Sequence, residues 1–406
     1  MSEYQYYEFR SIDQALTPAQ MKEVRGLSTR AEVTNRSFSV TYSYSDFRGN
    51  PRQMMERYYD AHVYVSNFGN MILMLRLPLD VISGDAISPY TSEDALDWWT
   101  TEEHIILEWQ LNEDEGGDWV DGEGWIDRLV PLRDELIRGD YRSLYIGWLA
   151  SFAGGSSEED EEYEEEEDGD DADEELETYE DDFIPYSRRN EPPVPAGLDS
   201  ITAAQAALAE FLGVSLDLIR AASAKSPKAP VLAESTQKVS EWVAGLPEQE
   251  VRAYIERVVR GEATRVQTEL QSRFFRSENA GGAPSKATSV GKPRTAADLV
   301  KLADQTEQER KLKEQRERDH KRHTYLVSLV PRFADLWLEV NALAAEQKAS
   351  SYDRACALLV DLRAAYSETG RRPEFDVQFE RFLGKYSRSA ALVRRLKDAE
   401  MTPKEG

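Results

Sequence analysis

Residues 156–182, SSEEDEEYEEEEDGDDADEELETYEDD, hold nineteen acids and no base. No folded core accepts such a run. Burying nineteen uncompensated carboxylates is prohibitive, and too few apolar groups are present to offset the entropy of ordering the chain. Like charges repel one another and stretch the segment. The following RRNEPPVPAG adds three prolines, so residues 156–196 read as an acidic disordered linker. The sequence on either side must then fold without it.

Charge divides along the same line. Residues 1–155 carry 26 acids against 13 bases, and residues 183–406 carry 31 acids against 36 bases. The formal net charge of −27 is therefore an acidic N-terminal part, a polyanion and a mildly basic remainder. Such asymmetry marks an interaction tail or a tether. One cysteine, Cys356, excludes an internal disulfide and fits a reducing compartment. The opening MSEYQYYEFR has neither the basic nor the apolar part of a signal peptide. No run approaches the roughly 18 apolar residues of a spanning helix. The expected location is cytoplasmic, with no membrane association.

The N-terminal part, 1–155, reads as an α+β domain with an antiparallel sheet. YQYYEFR (4–10) and SFSVTYSYSDF (37–47) are strand candidates, rich in aromatic and β-branched residues. Residues 62–78 read as two strands about a turn near 67–70. In HIILEWQL, Ile105, Leu107, Trp109 and Leu111 alternate with polar residues, the pattern of a half-buried strand. Thr17, Pro18 and Gln20 form a helix start with a capping box, and Asn50, Pro51 and Gln53 repeat the signal. Residues 124–152 read as two helices broken at Gly139. Hairpins mixed with short helices favour an antiparallel sheet over a doubly wound one.

Beyond the acidic run the pattern is helical. Residues 197–276 read as a small helical domain. Within it LPEQEVRAYIERVVRGE carries an apolar stripe of Val251, Ile255, Val258 and Val259, expected to pack on neighbouring helices. Residues 277–294 read as a flexible linker. Residues 295–403 read as a long charged helix, broken at Pro331, and then a helical hairpin. Its stripes are Ala355, Leu358, Leu359, Leu362, Tyr366 and Phe375, Phe379, Phe382, Leu383, Tyr386. Gly370 and Pro373 mark the turn, giving a tetratricopeptide-like pair.

Little catalytic chemistry is legible. One cysteine and four histidines cannot build a Cys-rich zinc site. His320 and His323, with Asp319, could offer a two-point metal contact but read first as a polar helix face. Cys356 lies beside an apolar stripe with no nearby His and reads as a small core residue. Phosphate-binding loops and nucleophile elbows are absent. The loop NEDEGGDWVDGEGW (112–125) concentrates acids, yet its spacing misses the EF-hand register and reads as a solvated turn. The segment 260–322 holds 15 bases against 10 acids, so a phosphate-binding surface enters as an alternative, with the acidic run as an intramolecular mask. No catalytic, cofactor-binding or metal residue and no small-molecule ligand is assigned.

Several stretches resemble a family of uncharacterised bacterial proteins: SEYQYYEFRSIDQALT, LSTRAEVT, DFRGNPRQMMERYYDAHVYVSN, DGEGWIDRLVPLRDELIRGDYRSLYIGWL and EWVAGLPEQEVRAYIERVVRGE. The C-terminal SYDRACALLVDLRAAYSETGRRPEFDVQFERFLGKYSRSAALVRRL is similar to the helical end of bacterial SWIM zinc-finger proteins. The SWIM zinc ligands are absent here, so no metal follows. The resemblance implies a bacterial, cytoplasmic protein working within a multi-protein system, and it implies no reaction. The resulting expectation is a non-enzymatic interaction or scaffold protein with a protein partner. Nucleic-acid association is the alternative, and an enzyme with a dispersed site is a third class.

Overall fold

In the computed structural model, residues 4–79, 81–92, 94–112, 120–153, 189–228, 235–279 and 294–401 are described. The chain forms two compact units, Met1–Glu307 and Gln308–Gly406.

The first unit is built on a seven-stranded antiparallel sheet: β1 (Gln5–Arg10), β2 (Glu32–Val33), β3 (Ser37–Tyr42), β4 (Ala61–Ser66), β5 (Asn70–Pro78), β6 (Leu96–Thr100) and β7 (His104–Asn112). The spatial order is β2-β3-β1-β4-β5-β7-β6. Tyr7 pairs with Tyr64, Phe9 with His62, His62 with Met74, and Met74 with Glu108. Because side chains alternate along each strand, this register sorts them onto two faces. One face carries Val63, Leu73, Leu75, Leu107 and Trp109. The other carries Tyr7, Phe9, Phe38, His62 and Met74.

The second of these faces is covered by α1 (Pro18–Arg25) and α2 (Pro51–Arg57). Thr17 and Gln20 form the expected capping box, and Asn50 accepts from the Gln53 amide at 3.1 Å. The short α3 (Gly84–Ile87) precedes β6. Against the other face lie α4 (Trp125–Leu129), α5 (Pro131–Ile137) and α6 (Arg142–Ala153). Three helices stand where two were expected. Pro131 has no amide to continue the preceding helix and opens a new one. Helix α6 approaches β7 closely at Gly147, where a Cβ would meet Trp109 Cδ1 at 2.7 Å.

The expected domain boundaries fall elsewhere. Helices α7 (Ala203–Phe211) and α8 (Leu216–Ser223) bury Leu208, Phe211, Leu218 and Ile219 in the same apolar core as the sheet. Residues 197–276 are thus no separate body, because that face of the sheet needs their apolar surface to leave water. Nor do 189–196 behave as linker. The Glu191 amide donates to the Arg294 carbonyl at 2.8 Å, and the Ala296 amide donates to the Arg189 carbonyl at 3.1 Å. The Glu191 carboxylate meets Arg294 at 2.5 Å, both buried, and also accepts from Tyr145 at 2.6 Å. Arg294 donates further to the carbonyls of Ala221 and Ala222. The rest of the expected linkers, 156–188 and 280–293, lies outside the described residues.

The unit continues through α9 (Ser235–Ala244), α10 (Glu248–Val259) and α11 (Ala263–Asn279), then the start of α12 (Ala296–Leu329). The second unit is all helical. It contains the end of α12, then α13 (Phe333–Ala345), α14 (Ala349–Glu368), α15 (Arg372–Tyr386) and α16 (Ala390–Asp398). A short 3-10 turn at Val330–Arg332 breaks the chain at Pro331, as expected. Helices α13 and α16 pack on α14, and the stripes of α14 and α15 are buried with Trp337, Val340, Leu392 and Leu396. The apolar faces of the expected hairpin are therefore filled by the chain's own helices. No described helix is long and apolar enough to cross a membrane.

Candidate interaction surface

The outermost helices of the first unit are seated from the inside. Asp60 and Arg133 are buried beneath them, and Asp60 meets Arg76 at 2.8 Å. Arg133 meets Asp13 at 2.6 Å. The hydroxyl of Thr268 on α11 donates to the other Asp13 oxygen at 3.3 Å. Helix α11 packs on α5, and buries Val266 and Phe274.

Helix α10 packs in turn on α11, and it does so through a polar side. Tyr254 donates to Glu269 at 2.9 Å, Arg257 to Glu269 at 2.7 Å and to Glu262 at 3.1 Å. Arg273 of α11 donates back to Glu250 at 3.0 Å and to the Tyr254 oxygen at 2.6 Å. Burial alone would raise the Glu269 carboxyl, but hydrogen bonds from Arg257 and Tyr254 outweigh it and hold the group below its usual range. Charge-assisted bonds of this kind are the strong ones.

The consequence is an inverted amphipathic helix. At 3.6 residues per turn, Glu250, Tyr254 and Arg257 form the side that meets α11. Val251, Ile255, Val258 and Val259 form the next side. Ile255 is 57% exposed, Val258 44% and Val259 82%. No residue of α10 is buried. The stripe expected to pack inside faces solvent. A third side carries Glu248, Arg252, Glu256 and Arg260, joined along the helix by Arg252–Glu248 at 2.8 Å and Arg260–Glu256 at 3.5 Å. The preceding α9 exposes Val239 and Val243, while its Trp242 packs edge-on against Phe274 at 5.7 Å. Periodicity located this stripe but not its direction. The missed signal is the second repeat at 250, 254 and 257, whose charges match those at 262, 269 and 273.

The other candidates are scattered. His323 Nδ1 lies 2.6 Å from Glu368, and Asp319 accepts from Gln315 at 3.0 Å. Neither is joined with His320 into a metal site, and the described residues contain no group of three or more His, Cys, Asp and Glu suited to a metal ion. Cys356 is buried, and that burial pushes its thiol up to about 11. Within the acidic loop, residues 113–119 lie outside the described residues. At its end Asp121 accepts from Tyr4 at 3.2 Å and from the Glu123 amide at 3.1 Å. His104 is half-buried, and burial with Arg76 nearby lowers its pKa. Of the bases in 260–322, Arg260, Arg273, Arg294, Arg310 and Arg322 each meet a carboxylate.

Compared with family models, curated proteins and solved structures, the chain matches none.

Proposed function

We propose that this chain is a non-enzymatic interaction or scaffold component that engages a protein partner through the outer face of α10. One observation carries the reading: α10 turns Glu250, Tyr254 and Arg257 onto α11 and leaves Ile255, Val258 and Val259 in water. A helix already seated on its own body through Glu250, Tyr254 and Arg257 gains nothing for the fold from an apolar outer stripe. Contiguous apolar exposure of that kind marks an interaction site, and a helix face presenting positions i, i+4, i+7 and i+8 is a common recognition mode.

The test is site-directed photocrosslinking. Val259→Cys is labelled with a benzophenone maleimide, and the buried, high-pKa Cys356 leaves the new thiol as the reactive one. Irradiation in an extract of the producing cells is expected to give an adduct of defined mass. The same label at Leu338→Cys, on another open helix position, in the second unit (71% exposed), is expected to give none. Equal yields at both positions would remove the reading.

Nucleic-acid association has one supporting observation, the run of exposed residues from 311 to 325 of α12. The pairing of Arg260, Arg273, Arg294, Arg310 and Arg322 with carboxylates weighs against it, since a base already neutralised releases few counterions. The full chain, and a chain lacking 156–182, are both expected to show no duplex binding below about 100 μM at 0.05 M salt. Tight, salt-sensitive binding by the shortened chain alone would favour the masked nucleic-acid reading.

A further inference from the structure

We infer that the occupant of the α10 face is a second copy of this chain, with the two α10 helices antiparallel about a twofold axis. The inference rests on the interaction reading above and names its partner. It follows from the order of charges along the third side of the helix: Glu248, Arg252, Glu256, Arg260. The signs alternate at every turn, so the series is its own complement when read backwards.

Symmetry decides the geometry. When two identical helices face each other antiparallel, the twofold axis lies across them, and each flank of one helix meets the same flank of the other. The apolar stripe then lies on the apolar stripe, and the charged stripe lies on the charged stripe with its order reversed. Glu248 comes opposite Arg260 of the second copy, and Arg252 opposite Glu256. The charged series is centred on position 254, and the apolar series Val251, Ile255, Val259 is centred on 255. The two registers therefore differ by about 3 Å along the axis, a shift that the long Arg and Glu side chains span. With the same face turned inward, a parallel pair would place each apolar stripe against the charged stripe of its neighbour, and the cost of desolvating those charges disfavours this arrangement. Helix α11 holds a different side of α10, through Glu250, Tyr254 and Arg257.

The contact is short. Twelve residues span about 18 Å, which places the pair at the small end of specific interfaces, with a dissociation constant on the order of tens of micromolar. The ion pairs set direction more than strength.

The experiment is sedimentation equilibrium of the full chain from about 5 to 300 μM at 0.15 M salt, where the Debye length of about 8 Å damps the general repulsion of two acidic chains. The weight-average mass is expected to rise from 46.2 kDa toward twice that value. Arg252→Glu with Arg260→Glu makes the stripe all acidic. Glu248→Arg with Glu256→Arg makes it all basic. Each variant alone is expected to stay monomeric, and an equimolar mixture is expected to associate at least as tightly as the natural chain. Loss in both directions separates this face from general charge repulsion, which the basic variant reduces. Recovery in the mixture shows that neither variant had failed to fold. Self-association of either variant alone, or a mixture that stays monomeric, overturns the antiparallel pair. A natural chain that is monomeric throughout also overturns it; a Val259 crosslink to a different protein would then leave the interaction reading standing.

Discussion

Lowering the pH from 6.5 to 4 is expected to remove about 3 kcal/mol from the stability of the sheet-containing unit through one side chain, His62. The ring is fully buried between strands, stacked on Phe9 at 4.0 Å and near Tyr7 at 6.3 Å. Its Nδ1–H donates to the Glu8 carbonyl at 2.9 Å, and its Nε2 has no hydrogen-bond partner. Burial among apolar rings disfavours the imidazolium and pulls the pKa down to about 4, against a small opposing contribution from the Glu8 carbonyl. The unfolded chain takes up this proton near pH 6.5, while the folded chain resists until about 4. Between those values the unfolded state binds more protons, so stability rises with pH. The contribution is complete above 6.5 and falls away progressively down to 4.

Urea midpoints at pH 7, 6, 5 and 4.5 read this directly by tryptophan fluorescence. Seven of the eight tryptophans precede residue 308, so the signal reports the first unit. His62→Phe keeps the ring stacking and loses one hydrogen bond, worth about 1 kcal/mol at neutral pH. Its midpoint is expected to stay nearly flat over the window in which the natural chain weakens. Parallel pH profiles for the two chains would show that His62 is not the group responsible. Asp60 does not confuse the result. Its pKa is lowered below the usual carboxylate value, so its contribution persists through this window and fades only at lower pH.

The same residue shows what could be read in advance and what could not. Alternation along Ile105, Leu107, Trp109 and Leu111 placed β7 with one face buried, and Thr17 with Gln20 placed the start of α1. These are local signals, carried by neighbours in sequence. His62 lies in an equally legible strand, yet its complete burial depends on Phe9 beside it and on aromatic residues brought from elsewhere in the chain. The strand β6, LDWWT, escaped notice because its alternating pattern is short and its tryptophans remain half-exposed. The joining of α7 and α8 to the sheet was hidden for a related reason: amphipathic periodicity says that a helix has a buried side, not against what. On α10 this ambiguity became decisive. Val251, Ile255 and Val258 recur at the same spacing as Glu250, Tyr254 and Arg257. Only the charges waiting on α11 select the polar side as the inner one.

The largest single-residue loss is expected at Asp60. Its carboxylate accepts from the amides of Ile12 at 2.6 Å and Asp13 at 3.0 Å, and from Arg76 Nη2 at 2.8 Å. Arg76 also donates to the carbonyls of Met55 and Glu56 at the end of α2. Burial by itself would raise the Asp60 pKa, but the charges of Arg76 and Arg133 outweigh it and keep the group ionised. Two carboxylates and two guanidiniums thus form a neutral set, with Asp60 and Arg133 fully buried and Asp13 and Arg76 partly so. Asp60→Ala leaves two cations facing only Asp13, together with two unpaired amides, and is expected to cost about 3–5 kcal/mol. Asp60→Asn keeps an acceptor but removes the charge, and should cost less.

A double-mutant cycle identifies the cause. Arg133 is as deeply buried as Asp60, and Arg133→Met removes its charge at similar volume. If charge balance governs the loss, the double variant Asp60→Ala with Arg133→Met should cost clearly less than the sum of the two single changes, with a coupling of about 1–3 kcal/mol. Strict additivity would instead assign the loss to the missing amide acceptor alone. The effect reaches the outer face, because Asp13 holds both Arg133 and Thr268 of α11, on which α10 rests. Where Asp60→Ala still folds, self-association through α10 should weaken with it, whereas the surface variants of α10 should leave the free energy of unfolding within about 0.5 kcal/mol of the natural chain. The polar core and the apolar stripe are in this sense one construction: buried charge fixes where α11 sits, and the charges of α11 fix which side of α10 meets water.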